Sequence, residues 1–234
     1  MQKALVFFIA KNEVVTMKRK EIITMWNAKE KIGLHFTIKH TGKMAGMYSL
    51  STSPLCNRYC QEYSKDPEKI CSHCYAQTQM QMYKNMQECL ANNTKILTEK
   101  VLDKNEIPLI NAKFFRFEAF GDISNETQVV NYFNIAKHNK GVHFALWTKN
   151  PGIVQRAIDA GFSKPTNLQI ILSSHYTNQE METNYDFVDK IFTVYDKQHI
   201  KDNNVEINCG DKKCLACGLC YKKNNTKYIK EQIK

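Results

Sequence analysis

From residue 113 onward, short apolar runs alternate with longer amphipathic stretches, the pattern of strands separated by helices. Residues 114–120 form the first run, which ends at Gly121-Asp122. Asn125-Glu126-Thr127-Gln128 then fits a capping box and opens a helix with Val129, Val130, Phe133 and Ala136 inward. A second strand covers 143–147 and ends at Thr148-Lys149-Asn150, and Pro151 suits the first turn of a helix that Gly161 stops. Residues 168–172 form a third strand, ending at Ser173-Ser174-His175, and 190–194 a fourth, ending at Tyr195-Asp196. Strands separated in this way argue for a parallel sheet with crossover helices.

Upstream the pattern is weaker. Residues 34–38 carry a faint strand signal, and 47–52 read as a strand running into Pro54. Residues 76–98 predict one long helix, with Met82, Met86, Leu90 and Leu97 at helical spacing as core and Cys89 beside them. The lysine- and asparagine-rich tail 222–234 reads as a solvated helix or a fraying end. Five or six β/α steps result, and a complete eight-step barrel takes ~250 residues. The expected fold class is therefore α/β, a partial or small (β/α) barrel with mostly parallel strands. Three segments are expected: a basic N-terminal segment 1–45, a barrel-like domain 46–200, and a C-terminal cysteine group with a basic tail, 201–234.

Composition narrows the class. With 43% hydrophobic and 24% charged residues among 234, wholesale disorder is excluded. Nothing approaches 18 consecutive apolar residues, so no membrane association is expected. The apolar run 4–10 lacks a cleavage site and reads as a strand or an over-long start, with Met17 an equally good beginning. Thirty-three Lys and Arg against 23 Asp and Glu give +10, which favours nucleic acid or another polyanion as partner.

Nine cysteines carry most of the chemistry. Cys56, Cys60, Cys71 and Cys74 form one group, and Cys209, Cys214, Cys217 and Cys220 another. In a chain without a convincing signal peptide, grouped Cys-x-x-Cys pairs point to a reducing cytoplasm and to metal rather than disulfides. Short turns aim neighbouring sulfurs at one centre, and four such ligands suit either tetrahedral zinc or an iron–sulfur cluster. His73 is an alternative ligand in the first group. The second group, Cys-x4-Cys-x2-Cys-x2-Cys, favours iron–sulfur ligation over a zinc ribbon, and Gly210 and Gly218 supply its tight turns. The first group lies between a strand and a helix, on the rim where barrel-like folds build their sites.

Polar groups at successive strand ends add to that rim. Period two places Arg116, Glu118, Phe120 and Asp122 on one face of the 114–122 strand, with Phe115, Phe117 and Ala119 on the other. Arg116 and Glu118 form either a salt bridge filling the barrel or part of a substrate site, because unpaired buried charge is costly. Trp147 and Lys149 share a face one strand along, and Ser173 or His175 ends the next. Arg116, Glu118, Lys149 and Ser173 are the candidate catalytic residues. His143 and His175 read individually as structural histidines. The Walker, His-Glu-x-x-His and Gly-x-Ser-x-Gly signatures are absent, which removes support for nucleotide hydrolysis and the common hydrolases.

Cys71-Ser-His-Cys74-Tyr75-Ala76, Phe115-Arg116-Phe117 with Gly121-Asp122, Thr148-Lys149 and the C-terminal cysteines together resemble a phage and mobile-element gene-product family related to radical-SAM iron–sulfur proteins. The resemblance covers roughly 45–220, and the Cys-x-x-Cys-Tyr-Ala element is its most specific part. It implies a [4Fe-4S] cluster held by three cysteines with one iron open to S-adenosylmethionine, and it places Tyr75, Gly121 and Asp122 against that cofactor. The chain departs from the radical-SAM loop by carrying Cys-x3-Cys-x10-Cys-x2-Cys, which leaves open whether Cys56 or Cys60 is spared.

The expected function is a radical-SAM-like enzyme. One or two [4Fe-4S] clusters and S-adenosylmethionine would be its cofactors, with a reductant such as flavodoxin or ferredoxin and a substrate related to nucleic acid. The rival readings are a non-catalytic nucleic-acid-binding module with two four-cysteine Zn sites, and an electron-transfer protein with two fully ligated clusters.

Overall fold

The alternating runs assemble into one mixed α/β sheet in the computed structural model, which describes residues 32–233. Its strands are β1 (Phe36–Thr37), β2 (Tyr48–Leu50), β3 (Phe114–Phe117), β4 (His143–Thr148), β5 (Leu168–Ser173), β6 (Lys190–Tyr195) and β7 (Tyr228–Gln232). They lie side by side in sequence order, with β1 antiparallel to β2 and every later pair parallel. Between β2 and β3 come α1 (Arg58–Tyr63), α2 (Tyr75–Met82) and α3 (Lys84–Glu99). After β3 and β4 follow α4 (Glu126–His138) and α5 (Pro151–Asp159), and α6 (Lys197–Asn203) and α7 (Cys214–Cys217) precede β7. The sheet takes its first strand from the segment before residue 46 and its last from the segment after residue 200. Among the described residues it does not close into a barrel: β1 and β7 are its two edges there. Six parallel strands are fewer than the eight that close a β/α barrel.

Three elements differ from the sequence pattern. The expected helix over 76–98 is two helices, broken at Tyr83, whose backbone is extended (φ −127°, ψ 95°). The break lets Met80, Leu90 and Leu97 all reach the core while Met82 stays exposed, and the Gln87 amide donates to the freed Met80 carbonyl. The tail contains a strand, β7, because Ile229 is fully buried and the backbone of 228–232 pairs with residues 191–195 of β6. The strand expected over 114–120 stops at Phe117, because Glu118 turns left-handed (φ 54°). The apolar run 4–10 and the alternative start at Met17 lie outside the described residues.

The alternation within strands separates two cores. Phe115, Phe117, Phe144, Leu146, Leu168 and Ile170 face α3, α4 and α5. Phe114, Ala145 and Ile171 face the other way, against Met47, Tyr221 and the C-terminal cysteine segment. That segment covers the sheet face opposite the helices. Helix α4 starts as its sequence predicts: Asn125 Oδ1 accepts from Gln128 N (3.0 Å), and Gln128 Oε1 reaches back to Ser124 N (2.8 Å).

Phe117 anchors the helical side. Its ring stacks on Tyr132 (centroids 4.2 Å apart) and on Phe144 (5.1 Å), and it is fully buried. Phe117→Ala is expected to cost about 3–5 kcal/mol of stability, measured by urea denaturation.

Candidate functional site

The loop after β2 is polar yet buried: Ser51, Thr52, Ser53 and Asn57 are each at most 1% exposed. Buried polar atoms need partners: Ser53 N donates to Thr94 Oγ1 (2.8 Å), and the other three take theirs from the loop after β3. Ser51 Oγ accepts from Ala119 N (3.0 Å) and Phe120 N (3.2 Å), and Asn57 Nδ2 donates to Asp122 O (2.8 Å). Asn57 also caps α1, accepting from Cys60 N (3.3 Å). The cysteine loop is thereby held onto the end of β3.

Glu118 lies within this network. Its carboxylate accepts from Thr52 N (3.1 Å), Thr52 Oγ1 (3.0 Å), Gln128 Nε2 (2.7 Å) and the Tyr132 hydroxyl. Burial pushes its pKa up to about 8, against the pull of the bonds from Tyr132 and Thr52. Arg116 does not pair with that carboxylate, so the expected salt bridge is not formed. The left-handed turn at Glu118 ends the strict alternation and sends the two side chains to different places. The Arg116 guanidinium lies 4.0 Å from the Trp147 ring, donating to the Glu118 carbonyl (3.3 Å) and the Met44 sulfur (3.5 Å).

Asp122 joins the ends of β3 and β4. One carboxylate oxygen accepts from Thr148 Oγ1 (2.6 Å) and Ile123 N (2.7 Å), the other from Lys149 N (2.8 Å). Burial raises its pKa against those bonds. Gly121 has φ +74°, and a Cβ there would lie 2.5 Å from the Thr52 carbonyl oxygen, so only glycine admits the contact between the loops. Both residues hold the rim together.

On this rim the thiols of the first group separate. Burial raises the Cys60 thiol pKa, with Asp122, Cys74 and Cys71 adding like charge. Burial also raises Cys71, opposed by the Lys149 ammonium, with Cys74 adding to the rise. Cys60, Cys71 and Cys74 are each partly buried, whereas Cys56 is exposed. The 70–73 turn is tied to the end of β5, Ile70 N donating to His175 O (2.9 Å), and Tyr59 packs beside the same histidine. Tyr75 donates from its hydroxyl to Ala119 O, and Ser173 is buried at the end of β5.

The second group lies on the other core face. Cys209, Cys214, Cys217 and Cys220 all line one cavity of about 310 Å³. Burial pushes Cys209 up to about 11 and Cys220 up to about 12, with Lys43 opposing the first and Arg116 the second. Lys43 Nζ lies 3.8 Å from Cys209 Sγ and forms an ion pair with Glu231 on β7. Gly218 (φ +66°) lets the loop pass over Phe114, whose ring a Cβ would meet at 2.7 Å. Among the described residues, no three His, Cys, Asp or Glu side chains are gathered closely enough to hold a metal ion as they stand.

Sequence reasoning missed Thr52, Asn57, Tyr59 and Lys43. A Ser-Thr-Ser-Pro run leading into a cysteine loop carried the signal for Thr52. Lys43 carried none, because its partners lie 166 and 188 residues away.

The architecture is that of a cysteine-rich α/β protein with one thiol group on the strand-end rim and another closing the face opposite the helices. The chain belongs to the gene product 88 family, whose model matches residues 15–231. No curated protein and no solved structure matches it.

Glu118 makes stability depend on pH. In the folded chain it holds its proton up to about pH 8, whereas the unfolded side chain releases it near 4.5. Its contribution is therefore complete below 4.5 and lost as pH rises to 8, with a slope of up to about 1.4 kcal/mol per pH unit. Glu118→Gln is expected to flatten that slope, read from urea midpoints between pH 5 and 8.

Proposed function

We propose that this chain is an iron–sulfur enzyme of radical-SAM type, with its reactive centre on the strand-end rim. The supporting observation is the three-to-one division of the first cysteine group: Cys60, Cys71 and Cys74 are partly buried at the strand ends, and Cys56 is exposed. Three thiols with a spare fourth are the donor set for a cluster that keeps one position open. The three sulfurs would have to draw closer than they stand, in a loop that Asn57 holds at the start of α1 and His175 at the 70–73 turn.

A [4Fe-4S] cluster on Cys60, Cys71 and Cys74 would supply an electron to bound S-adenosylmethionine, and so hydrogen-atom abstraction from a substrate. The chain's own residues have other tasks. The Lys149 ammonium offsets negative charge at Cys71. Asp122 has both oxygens taken up by Thr148, Ile123 and Lys149, so we assign it to positioning the rim rather than to contact with a cofactor amine. Arg116, with no carboxylate partner among the described residues, presents a guanidinium suited to an anionic group. With the net charge of +10, it favours a polyanionic substrate related to nucleic acid. Electrons would come from a small reductant such as flavodoxin or ferredoxin.

Iron, acid-labile sulfide and zinc in anaerobically purified protein test the reading. Roughly four to eight irons with matching sulfide are expected. Cys56→Ser is expected to keep them, and Cys60→Ser to lose about four. Two zincs without sulfide would overturn the proposal and favour a basic zinc-stapled binding module.

A further inference from the structure

Lys190 opens β6 with its side chain on the face covered by the C-terminal cysteines, and it is only 1% exposed. Its ammonium donates to Asn224 Oδ1 (2.8 Å) and to the Thr226 carbonyl (3.0 Å), both neutral. A buried cation with neutral partners alone is costly. Two acidic groups act on it, Cys220 and Asp189. Asp189 is committed elsewhere, paired with Lys164 and accepting from Ile170 N (2.7 Å). Cys220 remains.

A second observation comes from the next residue. The Tyr221 hydroxyl is buried and has no hydrogen-bond partner among the described residues. Its ring is fixed between Phe114 (5.1 Å) and Trp147 (5.9 Å), and the residue lines the same cavity as the four cysteines. An orphaned O–H in a thiol-lined cavity has sulfur as its natural acceptor. Arg116, whose charge acts on Cys214 and Cys220, adds a second cation, whereas Lys43, 3.8 Å from Cys209 Sγ, is paired with Glu231, whose carboxylate lies equally close to that sulfur.

We propose that the cavity lined by Cys209, Cys214, Cys217 and Cys220 holds a resident anionic four-thiolate metal centre, with Lys190 as its buried counter-cation and the Tyr221 hydroxyl as a donor to one of its sulfurs. Four thiolates around a divalent ion, or around a [4Fe-4S] core in its 2+ state, leave a net charge of about −2. Lys190 and Arg116 offset that charge where water cannot. The inference rests on the metal reading given under Proposed function but not on the radical chemistry.

The test is a Co2+ titration of the full chain, purified reduced and metal-free. The sulfur-to-cobalt charge-transfer band reports thiolate ligation, and Cys217→Ser and Cys71→Ser assign signal to each group. Lys190→Met is expected to weaken Co2+ binding at the C-terminal group by about 10–100-fold, with Lys190→Arg restoring most of it. Tyr221→Phe keeps the ring and is expected to weaken binding by a smaller factor. Thermal melts with and without Co2+ separate this from a structural role, which would lower both melts equally and leave the affinity unchanged. Unchanged affinity in both Lys190→Met and Tyr221→Phe would overturn the counter-cation and donor roles. If Lys190→Met does not fold, Tyr221→Phe alone decides. A wild-type chain without a band that depends on Cys217 would overturn the C-terminal metal centre itself.

Discussion

The Asp122 carboxylate is the contact on which the rim depends. Three donors from two strand ends converge on it, and its own carbonyl accepts from Thr52 and Asn57. A buried carboxylate is tolerated only when its lone pairs are filled, so the loops after β2, β3 and β4 must keep one another's positions. Glu118, four residues earlier, does the same between Thr52 and α4. The cysteine loop is therefore mounted on a rigid base, with Asn57 fixed at both of its side-chain ends, although the loop itself is short of apolar anchors.

The two faces of the sheet follow different rules. On the helical side, aromatic rings stack in a continuous layer through Phe117, Tyr132 and Phe144. On the other side the core is smaller and mixed, with Arg116 against Trp147, Lys190 beneath the cysteine segment and Tyr221 between rings. Cations, thiols and aromatic faces are poor fillers of an interior unless they satisfy one another. Their concentration on one side marks where the chain departs from plain packing.

Much of the fold was legible because periodicity in the second half is strong. The four strands and two helices from 114 to 195 follow from alternation, the Asn125 cap and Pro151. The break at Tyr83 was not legible: no Gly or Pro marks it, and it arises from the need to bury Met80 and Leu90 together. β7 was hidden by the lysines of the tail around it, since an edge strand needs only one buried side chain, Ile229, and the backbone pairing to β6. Both cysteine groups were visible from spacing alone. The division of the first group was not, because it depends on which thiols the loop after β2 turns inward. The pairing of Arg116 with Glu118 was misplaced for one reason: a single left-handed residue resets which face a side chain meets.

Sequence-ordered strands carry a consequence for the timing of assembly. Every strand pairs with the one made just before it, so the sheet can extend as the chain leaves the ribosome, each step closing a loop of a few dozen residues at most in its second half. Lys43 stands outside that scheme: its contacts with Cys209 and Glu231 span 166 and 188 residues. They cannot form until Cys209 and Glu231 have been synthesised. The cysteine segment that covers the second face is thus sealed by contacts that close a far longer stretch of chain than any strand pairing does, and they come after those pairings rather than with them.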